Sequence, residues 1–106
     1  MLTLRNSPPS PFGRKIRVAI VHLGLEDRIE EVVAQTGDSN DTLRTQNPLG
    51  KIPTLLLEDG TALYDSRVIT EYLDMLAGGG KIIPAEGPAR FDVLRRQALC
   101  DGILDA

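Results

Sequence analysis

Leu2 and Leu4 alternate with Thr3 and Arg5, the period of a short strand buried on one face. Asn6 to Pro9 is a polar, proline-containing loop. Ser10-Pro11 has the form of a helix start, with Ser as the N-cap and Pro in the first helical position. Phe12, Ile16, Ala19, Ile20 and Leu23 recur at helical spacing, so the pattern predicts a helix over residues 10–23 closed by Gly24. Ile29 to Val33 reads as a second strand. Gln35 to Asn47 is polar and fits a short helix or an irregular loop equally well. Thr54 to Glu58 and Thr61 to Tyr64 are strand-like runs around Asp59-Gly60, a strong hairpin signal. From Ser66 the period turns helical, with Val68, Ile69, Tyr72, Leu73 and Leu76 on one face, and Gly78-Gly79-Gly80 ends it.

Residues 78–88 hold four Gly and two Pro and read as a linker. A last helix begins at Ala89, with Phe91, Leu94, Ala98 and Ile103 or Leu104 as its apolar positions. Nothing earlier in the pattern is an evident partner for it. Such a face must be buried, so the helix either folds back on the first part or meets chain beyond Ala106. The first strand, helix and second strand form a right-handed parallel unit, and the hairpin adds two antiparallel strands. The expected fold is α/β or α+β: a four-stranded mixed sheet with flanking helices.

The chain has 106 residues, enough for one core. Its net charge is -3, so no global field recruits nucleic acid or anionic lipid. With two Tyr, two Phe and no Trp, a base-stacking surface is not expected. The single cysteine, Cys100, excludes an internal disulfide and a cysteine-based metal cluster; it reads as a small buried hydrophobe. No apolar run approaches the ~20 residues that span a bilayer, and Met1 to Pro9 lacks the apolar core of a signal peptide. A reducing, cytoplasmic setting is the expectation.

Three short segments carry candidate chemistry. Ser10-Pro11-Phe12 stands at a strand-to-helix junction, where free N–H groups and the positive end of the helix favour an anion, including a thiolate. A serine there is also an ordinary cap. Asn47 to Pro53, N-P-L-G-K-I-P, leads into a strand, so Pro53 is a candidate cis-proline that would offer the backbone of Ile52 to a peptide-like ligand. The alternative is a plain loop with two prolines. Lys51 is a candidate carboxylate contact, or a solvated lysine. Asp65-Ser66 opens another helix, suited to a ligand carboxylate at Ser66 and an ammonium at Asp65, or to simple first-turn roles. His22, Arg14, Lys15 and Arg17 read as exposed positions of the first helix.

The run Ser7 to Ala19, SPPSPFGRKIRVA, resembles the N-terminal active-site segment of bacterial glutathione transferases. Asn47 to Pro53 resembles their N-P-x-G-K-[IV]-P segment, and Asp65 to Leu73 their [ED]-S-x-x-I-x-x-Y-L helix start. The resemblance covers residues 1–77 and continues through the last helix. It implies a thioredoxin-like, glutathione-binding domain over 1–77, a linker over 78–88, and the start of a truncated all-helical domain over 89–106. It implies that Pro53 is cis, that the Ile52 backbone pairs with the cysteinyl part of glutathione, and that Lys51 approaches a carboxylate, with Asn47 or Gln46 assisting. Asp65 and Ser66 would hold the γ-glutamyl end. Ser10 would activate the thiol, with Ser7 as its rival; the absence of Cys at position 10 disfavours glutaredoxin-like exchange. Asp105, or else Asp101, would reach glutathione on the neighbouring subunit of a homodimer.

The implied function is attack of a glutathione thiolate on small electrophiles, a detoxification reaction with glutathione as co-substrate and without a metal. Two other readings stay open. One is a glutathione-binding or regulatory protein without turnover; the other is an isomerase, peroxidase or dehalogenase branch.

Overall fold

The structure, a computed structural model, describes residues 1–7, 10–34 and 52–105. Strand β1 (Leu2–Asn6) leads to helix α1 (Pro11–Leu23), a short 3-10 turn at Glu26–Arg28, and strand β2 (Ile29–Val33). Strands β3 (Thr54–Leu56) and β4 (Ala62–Tyr64) follow, then helices α2 (Ser66–Leu76) and α3 (Pro88–Asp105). The four strands form one mixed sheet in the order β2-β1-β3-β4. β1 and β2 are parallel, whereas β1–β3 and β3–β4 are antiparallel.

The local signals explain these boundaries. Ser10 caps α1 by accepting the Gly13 N–H at 3.1 Å. Gly24 closes the helix in the left-handed conformation (φ 70°), and the Leu25 N–H donates to the Ile20 carbonyl at 3.0 Å. At the hairpin, Asp59 accepts the Thr61 N–H at 2.9 Å, and the Leu57 N–H donates to the Thr61 carbonyl at 2.8 Å.

α1 and α2 pack together over the sheet. Leu4 and Leu55, paired across β1 and β3, are fully buried with Ile16 of α1 and Ile69 and Leu73 of α2. Each such side chain contributes roughly 1.5–3 kcal/mol by leaving water. Two details differ from the sequence pattern. Arg5 is only 6% exposed, because β1 is an inner strand flanked by β2 and β3; its guanidinium donates to the Val33 carbonyl at 3.3 Å. Val68 is exposed, and Thr70 and Asp74 of α2 are buried instead.

Asp74 shows what replaces apolar contact there. Its carboxylate accepts the N–H groups of Lys81 (2.9 Å), Ile82 (3.3 Å) and Ile83 (2.9 Å), fixing the glycine-rich connection to α2. α3 then lies against α2 and α1 with a polar stripe. Arg90 pairs with Glu71, Gln97 meets the Thr70 hydroxyl at 3.1 Å, and Asp101 pairs with Lys15 at 3.1 Å. The spacing of positions 90, 97 and 101 puts them on one helical face. Of the apolar positions expected to face inward, Leu94 is half-buried, whereas Phe91, Ala98, Ile103 and Leu104 are exposed. No helix among the described residues is long and apolar enough to cross a membrane.

Candidate functional site

The site is built where α1 and α2 begin. Asn6, fully buried at the end of β1, fixes the first turn of α1: its Nδ2 donates to the Gly13 carbonyl at 3.3 Å and to Glu31 Oε1 at 3.0 Å. A Cβ on residue 13 would lie 1.9 Å from Asn6 Oδ1, so only glycine allows this approach. The Ser10 N–H donates to the Ser7 carbonyl at 3.1 Å, and Ser10 Oγ accepts from Gly13. A hydroxyl has one proton and two lone pairs. Ser10 uses a lone pair for the cap, which leaves its proton to donate outward.

α2 opens on an unusual backbone. Asp65 has φ 69° and ψ 128°, a conformation that costs a non-glycine residue about 1–3 kcal/mol. Asp65 Oδ1 accepts the Arg67 N–H at 3.0 Å, and the Arg67 guanidinium reaches Oδ2 at 2.9 Å. Hydrogen bonds from the Arg67 side chain hold the Asp65 carboxyl below its ordinary value of 3.8. Partial burial opposes this, and the Arg67 N–H and the charges of Arg67 and Lys15 add to it. Ser66 is 4% exposed, and its Oγ accepts from Lys15 Nζ at 3.0 Å. This bond ties the second turn of α1 to the opening of α2, and the two helices pack together on one side of the sheet. The Ile52–Pro53 peptide bond, immediately before β3, is cis, as the resemblance implies; the pattern alone leaves a plain loop open.

Lys15 and Cys100 differ from the sequence expectation. Lys15 belongs to the inter-helix contact rather than to a solvated face, since its side chain is 23% exposed and bonded to Ser66 and Asp101. Asp101 is buried against Lys15 of its own chain. Cys100 is exposed rather than buried, because the neighbouring Asp101 is on the inward side of α3. His22 and Arg14 are exposed as expected, and Arg17 makes a two-pronged pair with Glu31. Lys51, Asn47 and Gln46 lie outside the described residues, as does the side chain of Asp105. Asn6 and Lys15 are the contributors that pattern reading passed over. Lys15 had one signal: it stands three residues after Phe12 and four before Ala19, at the border of the apolar stripe.

Residues 9–76 match the family model for the glutathione S-transferase N-terminal domain. The chain belongs to the glutathione S-transferase family. It is 30% identical over 105 residues to the uncharacterized GST-like protein YibF of Escherichia coli K12, covering 99% of this chain and 51% of YibF. A glutathione transferase family member from Pseudomonas fluorescens Pf-5, solved with bound glutathione, is 42% identical, with a TM-score of 0.90 over 99% of this chain and 52% of that one. A glutathione S-transferase from Methylobacillus flagellatus KT, solved with glutathione, is 40% identical, with a TM-score of 0.91 over 99% and 51%. The chain thus spans about half the length of these relatives. Its fold is the thioredoxin-like arrangement of the glutathione S-transferases, with a helix following.

Proposed function

We propose that this protein binds glutathione at the joined openings of α1 and α2 and activates its thiol for attack on small electrophiles. The observation that carries the reading is the Lys15–Ser66 hydrogen bond, which supports it by tying α1, the helix capped by Ser10, to the start of α2. The glutathione-bound relatives supply the ligand class. Ser66 and Asp65 receive the γ-glutamyl end, the carboxylate at the Ser66 hydroxyl and the ammonium at Asp65. The Ile52 backbone beside Pro53 pairs with the cysteinyl segment, and Lys51 meets a carboxylate. The Ser10 hydroxyl donates a hydrogen bond to the sulfur and so stabilises the thiolate. Lowering a thiol from about 8.5 toward neutrality requires roughly 2 kcal/mol, within reach of one hydroxyl and a helix start. After the thiol proton leaves to solvent, the thiolate forms a bond to the electrophilic carbon. In a substitution the leaving group departs with its bonding pair; in an addition to an activated double bond the pair moves to the neighbouring carbon, which takes a proton from solvent.

In this reading residues 1–77 are the glutathione-binding domain, 78–88 the linker and 89–106 the start of a helical domain. The active form is a cytoplasmic homodimer serving detoxification, with Asp105 directed to the partner's ligand.

Calorimetric titration with glutathione, combined with the ultraviolet absorbance of the bound thiolate against pH, tests the reading. Wild type should bind and lower the thiol pKa. Ser66→Ala should weaken binding, and Ser10→Ala should raise the bound thiol pKa while leaving binding nearly intact. A folded wild type that does not bind contradicts the proposal. Binding with an unshifted thiol leaves a glutathione-binding protein without turnover.

A further inference from the structure

The geometry points to Lys15 as a positioning residue that aims the Ser66 hydroxyl at the ligand and, through Asp101, ties that aim to the docking of α3. The inference rests on the glutathione reading above and adds a residue and a coupling to it.

An ammonium group has only donors. Where Lys15 Nζ meets Ser66 Oγ at 3.0 Å, the oxygen must therefore accept. The single Ser66 proton is then turned away from Lys15 and is free to donate to an anion. A neutral or absent side chain at position 15 would let the hydroxyl rotate or accept from a water. Lys15 is itself held: Asp101 Oδ1 and Oδ2 lie 3.1 and 3.2 Å from Nζ. The two side chains are only 23% and 10% exposed, so this pair is less screened than a surface pair. Asp101 also offsets the lysine charge and keeps it from swinging out to solvent.

The rest of Ser66 is fixed by the same helices. The Thr70 hydroxyl donates to the Ser66 carbonyl, and Gln97 of α3 meets that hydroxyl at 3.1 Å. Two residues of α3, Gln97 and Asp101, thus reach Ser66 through one intermediary each. Moving α3 would release both.

The test is a double-mutant cycle read by calorimetric titration of glutathione into the full chain, with thermal unfolding recorded for each variant. Lys15→Met is expected to weaken binding about tenfold, as for loss of a charge-assisted hydrogen bond. Asp101→Asn is expected to weaken it by a smaller factor, and Lys15→Arg to restore most of the loss. In a Ser66→Ala background, Lys15→Met should add less than about twofold, since its effect runs through that hydroxyl. The thiol pKa of bound glutathione should stay unchanged in Lys15→Met, because Ser10 is untouched. If Lys15→Met unfolds, the cycle is run with Asp101→Asn in its place. Wild-type binding with Lys15→Met or Asp101→Asn within twofold of it overturns this inference alone. Full additivity of the Lys15 and Ser66 substitutions does the same. A folded wild type that binds no glutathione overturns the functional reading as well.

Discussion

The sheet with α1 and α2 is held by apolar burial, whereas α3 is held by polar side chains. In the first region Leu4, Ile16, Leu55, Ile69 and Leu73 are completely enclosed. In the second, Arg90, Gln97 and Asp101 meet Glu71, Thr70 and Lys15, while Phe91, Leu99, Ile103 and Leu104 remain exposed. Apolar contact is non-directional, so it fixes that two layers meet. Hydrogen bonds are directional, so they fix the register in which α3 lies along α2 and α1. The candidate site lies across this division: the core packs α1 against α2, and the polar seam reaches Ser66 through Lys15 and Thr70.

The contrast is broken most severely by a cavity in the apolar region. Leu55→Ala should cost ~2–5 kcal/mol in chemical denaturation, because its neighbours on β1, α1 and α2 cannot all close the gap. The joint between the regions comes next. Asp74→Ala leaves three backbone N–H groups without their acceptor and should cost ~1–3 kcal/mol. A change confined to proteolysis of residues 78–87, with global stability intact, would show that the joint is independent of the core.

Acid provides a gentler probe of the α2 opening. The folded Asp65 carboxyl lies below its ordinary value, so its contribution is present above about pH 4 and is lost as pH falls through the folded value. The stability gap between wild type and Asp65→Asn should therefore narrow on acidification. A constant gap would show that the Arg67 pairing contributes nothing to folding. The smallest effect belongs to the outer side of α3: Leu99→Ser should shift stability by less than ~0.5 kcal/mol, since Leu99 is 65% exposed.

The same division explains what could be read in the sequence. The Ser10-Pro11 start, the Gly24 stop and the Asp59-Gly60 hairpin are local signals, each decided within a few residues, and the elements follow them. The three motif segments contain Ser10, Pro53, Asp65 and Ser66, and the structure places these at the starts of α1, β3 and α2. The pairing of Lys15 with Asp101 was not legible, because it spans 86 positions; Asp101 was a candidate only for a contact with the neighbouring subunit's ligand, and Lys15 read as an exposed position. For α3, helical spacing identified an apolar face, but the contacts were made by the polar one. A stripe of Arg90, Gln97 and Asp101 looks like a solvated surface until charged and hydroxyl groups of complementary type are placed opposite it.

The central claim, that glutathione sits between the starts of α1 and α2, is tested most directly by following backbone amide resonances during a glutathione titration. Shifts concentrated at Ser10 to Gly13, Ile52 and Asp65 to Arg67, and abolished together by Ser66→Ala, are the predicted result. A folded protein whose shifts fall elsewhere, or that shows none, would contradict it.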